Sequence, residues 1–251
     1  MLIRLAEIDS SMIDRVGGKA AVLGAMISSG VRVPDGFCLT AWAQRLPEAD
    51  LVQAYDRLGG GKVAVRSSAI AHHPETGMPR QQSAYFNVEG AGPLLDAIGR
   101  CRESMRDQHA TTCRPVREVA GAAMAVVVQR MIDPAAAGVI FTANPLTGCR
   151  TEMAIDAAPG LDTAIDKNTV MPEHHVLSHH VPAAQPDKGF LTQRQLEELR
   201  QAGLRLHQYI GTPQDIEWAL DDKGVPWMLR SRPISALFSA PPAAGETHRP
   251  S

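Results

Sequence analysis

The sequence predicts a globular chain in which short strands and helices are mixed along its whole length. Three observations lead there. Apolar runs of strand length, Lys62–Ala69, Met124–Met131, Ala137–Thr142 and Glu152–Ala157, are bounded by turn residues. Helical runs following Gly17-Gly18 to Met26, within 41–58, over 92–107 and over 191–210 lie between them. Near the end, residues 213–235 alternate polar and apolar on both sides of a Gly-containing centre, the pattern of two strands joined by a hairpin. With 251 residues, 44% of them hydrophobic, the chain can bury a sizeable core.

Charge and cysteine usage narrow the class. Net charge is −2 and the basic residues are scattered, which argues against a nucleic-acid groove or a membrane-surface patch. Cys38, Cys101, Cys113 and Cys149 form no CxxC pair and follow no signal peptide, so free thiols in a reduced cytoplasmic setting are expected. No apolar run reaches the ~20 residues that a membrane span needs.

The first candidate ligand segment is Gly17-Gly18-Lys19, which precedes a helix rich in small residues and puts Lys19 in its first turn. Backbone N–H groups and the helix dipole favour anions there, although an ordinary turn with a solvated lysine has the same sequence. The spacing GxxxxGK[ST] of a Walker loop is absent. Val63–Ala69 then delivers Arg66, Ser67 and Ser68 at a strand exit, where arginine suits phosphate by its planar fork or caps the sheet edge. Residues 70–84, with Pro74, Gly77 and Pro79, read as a long loop. Gln129 stands inside an apolar strand, either facing a nucleobase edge or bonded to backbone in the core.

In the hairpin, a two-residue loop at Lys223-Gly224 sets Glu217 opposite Arg230 and Asp215 opposite Arg232. Such a face either chelates a metal polyphosphate or forms a ladder of surface ion pairs. His174, His175, His179 and His180 fall within seven residues, but strand alternation separates them by face, so they read as exposed strand and turn and not as a metal site.

Taken in order, these motifs resemble one family. Gly17-Gly18-Lys19, Val33–Phe37, Val63–Ala69, Val127–Met131, Gly138–Pro145, Pro213–Trp218 and Ser231–Ile234 are similar to the ATP-binding N-terminal domain of phosphoenolpyruvate synthase, pyruvate phosphate dikinase and rifampicin phosphotransferase. The likeness runs from about Asp14 to Ser235. It implies an α+β, ATP-grasp fold in which two subdomains close on Mg-ATP. It also implies that Lys19, Arg66 and Arg232 hold phosphates and act in catalysis, that Gln129 faces the base, and that Glu217, with Asp215, holds Mg²⁺. The expected organisation is one domain over 1–235, with subdomains near 1–120 and 121–235, and a flexible tail over 236–251.

Three features depart from the family pattern. Arg230 stands where relatives have a metal-binding glutamine, and a cation cannot coordinate a cation. The loop after Arg66 reads His72-His73 and then Gly77-Met78-Pro79-Arg80 where small residues usually cradle phosphate. The Gly-Gly…Ser-His segment of the family's carrier-histidine domain does not occur. The expectation is therefore an ATP-dependent phosphotransferase domain that serves a separately encoded histidine domain or a small acceptor. Arg80 and Arg230 would then supply charge that Mg²⁺ supplies in relatives, giving weaker Mg²⁺ dependence. The alternative is a non-catalytic nucleotide- or partner-binding relative with a degenerate metal site.

Overall fold

The computed structural model describes residues 1–41, 46–70, 83–111, 124–160, 172–184, 186 and 189–234. The loop motif at 72–80, with Arg80, Cys113 and the tail from 235 lie outside them. Chain contacts group the residues into two units, Met1–Asp133 with Trp227–Arg230, and Pro134–Pro226 with Ser231–Ser251.

The first unit is built on an antiparallel sheet of order β1-β2-β5-β3-β4, from Leu2–Arg4, Gly36–Leu39, Val63–Ala69, Ala84–Val88 and Met124–Arg130, numbered β1 to β5 in chain order. One face of its central strands is apolar and covered by two helices. Val63, Val65, Val126, Val128, Phe37 and Leu39 pack with Leu51 and Tyr55 of α2 (Glu48–Arg57) and Leu94, Ile98 and Cys101 of α3 (Ala91–Thr111). Period-two alternation sends Ala64, Arg66 and Ser68 to the opposite face, toward α1 (Ile13–Ser28). Helix α3 begins one residue earlier and runs four residues further than the apolar period predicts. The hydroxyl of Tyr55 closes the α2–β3 turn on the carbonyls of Gly60, at 2.5 Å, and Gly61, at 2.9 Å.

The second unit carries the sheet β10-β9-β6-β7-β8: Ala136–Phe141 (β6), Glu152–Pro159 (β7), Glu173–Ser178 (β8), Gln214–Leu220 (β9) and Pro226–Pro233 (β10). One face packs on α4, Gln193–Ile210, which a Thr192–Gln195 capping box starts and left-handed Gly211 (φ 79°) ends. Leu196, Leu199, Ala202 and Leu206 form its buried stripe. Ile140, Met153, Ile155, Ile216 and Trp218 meet it from the sheet, close enough that a methyl group added at Gly203 would lie 2.8 Å from Met153 Cε. Alternation leaves Val139, Phe141, Ala154, Asp156, His174, Val176, Asp215 and Glu217 on the opposite face.

The hairpin forms, with a turn different from the expected one. Gly224 N donates to Asp221 O (2.9 Å) and Asp221 N to Val225 O (3.1 Å), so the loop turns over Asp222-Lys223 and Gly224 follows in the left-handed region at φ 71°. This is a type I turn closed by a glycine bulge, a longer solution than a two-residue loop. The Asp221 carboxylate explains the choice, since its Oδ1 accepts from Lys223 N and Val225 N at 3.0 and 2.9 Å.

The histidine cluster divides. His174 bonds Asp156 and His175 bonds Glu173, on opposite faces of β8. His179, expected to be exposed, instead sets its ring edge-on to His207 of α4, with centroids 5.7 Å apart and Nε2 buried without a partner. Burial holds both imidazoles below the ordinary histidine range.

A buried guanidinium ties this corner together. Arg200 forks onto Glu197 at 2.7 and 2.8 Å, and its Nη1 donates to the carbonyls of His179 (3.0 Å) and Ser178 (3.3 Å). Glu197 also accepts from Ala183 N at 2.8 Å, and the Arg200 bonds, ahead of that one, hold its carboxyl down to about 2. Replacing Arg200 with Met removes its donors from two carbonyls and its charge from the Glu197 carboxylate, which keeps Ala183 N and Gln201 Nε2, so equilibrium urea unfolding of Arg200→Met should show a loss on the order of 2–4 kcal/mol.

Candidate functional site

In the first unit two sequence motifs meet because one residue has no side chain. Gly17 takes φ 75° and ψ 169°, which interrupts α1 and lets the helix restart at Gly18, so Lys19 occupies a first turn as expected. A Cβ at Gly17 would lie 2.5 Å from the Ser68 carbonyl oxygen, so only glycine permits the approach. The contact is fastened by Ala20 N donating to Ser68 Oγ at 3.3 Å. Gly17-Gly18-Lys19 and Arg66-Ser67-Ser68, 47 residues apart in sequence from Lys19 to Arg66, thus form one corner.

The electrostatics of that corner are cationic. Burial first, then the like charges of Arg66 and Arg230, pull the Lys19 ammonium down to about 8. Arg66 is steadied by the Phe86 ring, whose centroid lies 5.3 Å from its Cζ. The sequence reading did not select Phe86; an aromatic on the strand following the loop was the available signal. Two guanidiniums close enough to lower the ionisation of Lys19 put three basic groups in one corner, donors of the kind that suit phosphate oxygens. Gln129 lies on the same face of the sheet, 3% exposed, with Nε2 donating to Pro34 O at 3.4 Å.

In the second unit the ladder's outer rung is formed as expected. Arg232 Nε and Nη2 both reach Asp215 Oδ2, at 2.7 and 2.6 Å, while Asp215 is 8% exposed. Glu217 is half-buried on the same face, two residues along, opposite Val139 of β6. Among the described residues no three His, Cys, Asp or Glu side chains converge as a complete metal cage. Hard oxygen donors at Asp215 and Glu217 suit Mg²⁺ nonetheless, since that ion keeps several waters and takes few carboxylates, completing its shell with phosphate. On this face the sequence reading missed one pair: Asp156 of β7 and His174 of β8, 2.6 Å apart. A lone acid within the apolar run Met153–Ala158 was the available signal.

The Lys19 geometry fixes a pH dependence. Lys19 is cationic below about 8 and neutral above it in the free protein, so its attraction for an anion is present at pH 7 and lost as pH rises through about 8. Calorimetric titration with inorganic triphosphate should give weaker binding at pH 9 than at pH 7, and Lys19→Met should flatten that difference.

The chain is similar to known proteins. The pyruvate phosphate dikinase AMP/ATP-binding domain family matches residues 44–181 and 167–249. A rifampicin phosphotransferase from Streptomyces is 31% identical across 96% of this chain and 36% of that protein. A probable phosphoenolpyruvate synthase from Methanocaldococcus jannaschii is 27% identical across 93% of this chain and 26% of that protein. The chain thus spans about a quarter to a third of the length of such relatives. Among solved structures, the D-alanine-D-alanine ligase of Coxiella burnetii aligns over 92% of this chain and 50% of that one, at a TM-score of 0.48 and 12% identity. Two overlapping matches covering most of the chain lead to one conclusion: the chain belongs to the pyruvate phosphate dikinase AMP/ATP-binding domain family, with the α+β ATP-grasp class that this membership carries.

Proposed function

We propose that this chain binds ATP through Lys19, Arg66, Arg230 and Arg232 and donates a phosphoryl group to an acceptor outside it. The acceptor is a histidine on a separately encoded domain or a small molecule. The convergence of Lys19, Arg66 and Arg230 supports this reading most directly, because ammonium and guanidinium groups gathered in one corner can give several charge-assisted bonds to one polyphosphate. Phosphoryl transfer asks mainly for positioning and for neutralisation of charge on the transferred group, which guanidinium and ammonium groups supply. Gln129 would stand toward the base and Arg232 toward the phosphates. Mg²⁺, bound by Glu217 and Asp215, would add charge neutralisation between phosphate oxygens.

A second reading has a specific observation in its favour. Arg232 and Asp215 already satisfy one another, and Arg230 occupies the position of a metal-ligating glutamine, as a decayed metal site would show. On that reading the chain binds nucleotide without turnover.

Calorimetry separates these readings. ATP should bind at or below millimolar concentration, and Arg66→Ala or Arg232→Ala should each weaken it by about 1.5–3 kcal/mol. Absence of binding, with or without Mg²⁺, removes the proposal. Arg230→Gln should lower affinity if Arg230 holds phosphate, whereas a gain of Mg²⁺-dependent binding would mark a decayed metal site.

Turnover is a separate test, followed as AMP or ADP release with candidate acceptors supplied in trans. Glu217→Gln keeps the shape and removes the carboxylate charge, so it should abolish that release while leaving the thermal unfolding midpoint unchanged. Unaltered release would move the metal, or the chemistry, elsewhere.

A further inference from the structure

The open face of the second unit's sheet carries more than the two acids near its edge. Register aligns Glu217, Val139, Asp156 and His174 in one row across β9, β6, β7 and β8. In that row His174 Nδ1 lies 2.6 Å from Asp156 Oδ1. A carboxylate accepts from Nδ1–H, which leaves Nε2 as the basic nitrogen of a neutral ring. The pair is partly exposed, and a surface ion pair of this kind contributes little to stability. Strand β8 already has six register positions on β7 to hold it.

We infer that Asp156 and His174 form a proton-accepting dyad for a hydroxyl-bearing acceptor, an inference that rests on the phosphotransferase reading of this same site. Spacing supports it. Neighbouring strands lie about 4.8 Å apart, so Glu217 and His174, three spacings apart, are separated by roughly 14 Å along the row. Reacting atoms approach to ~3–3.5 Å, a base sits ~2.6–3.2 Å from the proton it takes and Mg²⁺ sits ~2.1 Å from its oxygens, so an ion held at Glu217, a phosphoryl group and an attacking hydroxyl span most of that gap. The adjoining row runs Asp215, Phe141, Ala154, Val176, with Val176 49% exposed. That apolar strip beside the dyad suits the carbon frame of an organic alcohol.

In the step, the acceptor oxygen forms a bond to phosphorus while the bond from phosphorus to the leaving nucleotide oxygen breaks. The hydroxyl proton passes to His174 Nε2, and the resulting imidazolium is held by the Asp156 carboxylate until it releases the proton to water. His174 is thus a catalytic residue and Asp156 a positioning one.

Water can stand in for the alcohol, so the test is phosphate release from Mg-ATP by the full chain without added acceptor. His174→Gln should lower that rate about tenfold or more, with ATP affinity by calorimetry and thermal midpoint unchanged. His174→Ala should lose the same activity and regain part of it with added imidazole, a recovery that a structural role would not show. Asp156→Asn should reduce the rate without changing affinity. If wild-type protein binds no ATP, the phosphotransferase reading fails and takes the dyad with it. If ATP binds but wild-type protein releases no phosphate, or His174→Gln releases it at the wild-type rate, or imidazole restores nothing to His174→Ala, the dyad alone is overturned.

Discussion

The charged corner of the first unit depends on a contact that involves no charge, the approach of Gly17 to the Ser68 carbonyl. A hydrogen atom is all that fits between α1 and the exit of β3 at that level, since a Cβ would sit 2.5 Å from the oxygen. The same residue has a positive φ, which ends one helical stretch and starts another. From that restart follow the place of Lys19 in a first turn and its nearness to Arg66 and Arg230, and hence the fall of its ammonium to about 8. Burial and the two neighbouring guanidiniums both disfavour the Lys19 ammonium, so its charge is held in this corner at a cost to the fold.

The second unit reaches its chemistry by a different route. Its sheet is amphipathic in the sense of having two assigned faces, one given wholly to α4 and the other bearing acids, a histidine and an apolar strip. Alternation along each strand does the sorting, and register across the strands does the rest. A slip of one residue in β7 or β9 would send Asp156 or Glu217 under α4, where an unpaired carboxylate is costly. The Arg200–Glu197 clasp fixes the turn after β8 to α4, so the edge strand that carries His174 has a firm end. Among the described residues no helix is long and apolar enough to cross a membrane.

Local chemistry made a good deal of this legible. Runs of Val and Ala between turn residues marked the central strands, Gly-Gly before small residues marked the start of a helix, and Thr192 with Gln195 is a capping box written in the sequence itself. Strand alternation also foresaw the Asp215–Arg232 rung, because opposite charges in register positions find one another whatever else the hairpin does. The turn was less legible, since a side chain at Asp221 chose the bulged form over the two-residue loop.

The sequence by itself determined the elements, the family motifs and which charged residues stood at strand ends and helix starts, because those properties depend on neighbours a few residues apart. Tertiary structure decided what met what. Lys19 and Arg66 share a corner, His179 leaves the surface for His207, Gln129 gives its amide to Pro34, and Asp156 meets His174 across a strand pair. Each of those contacts joins residues from separate elements, and only packing and register, which no local pattern encodes, could bring them within a few ångströms.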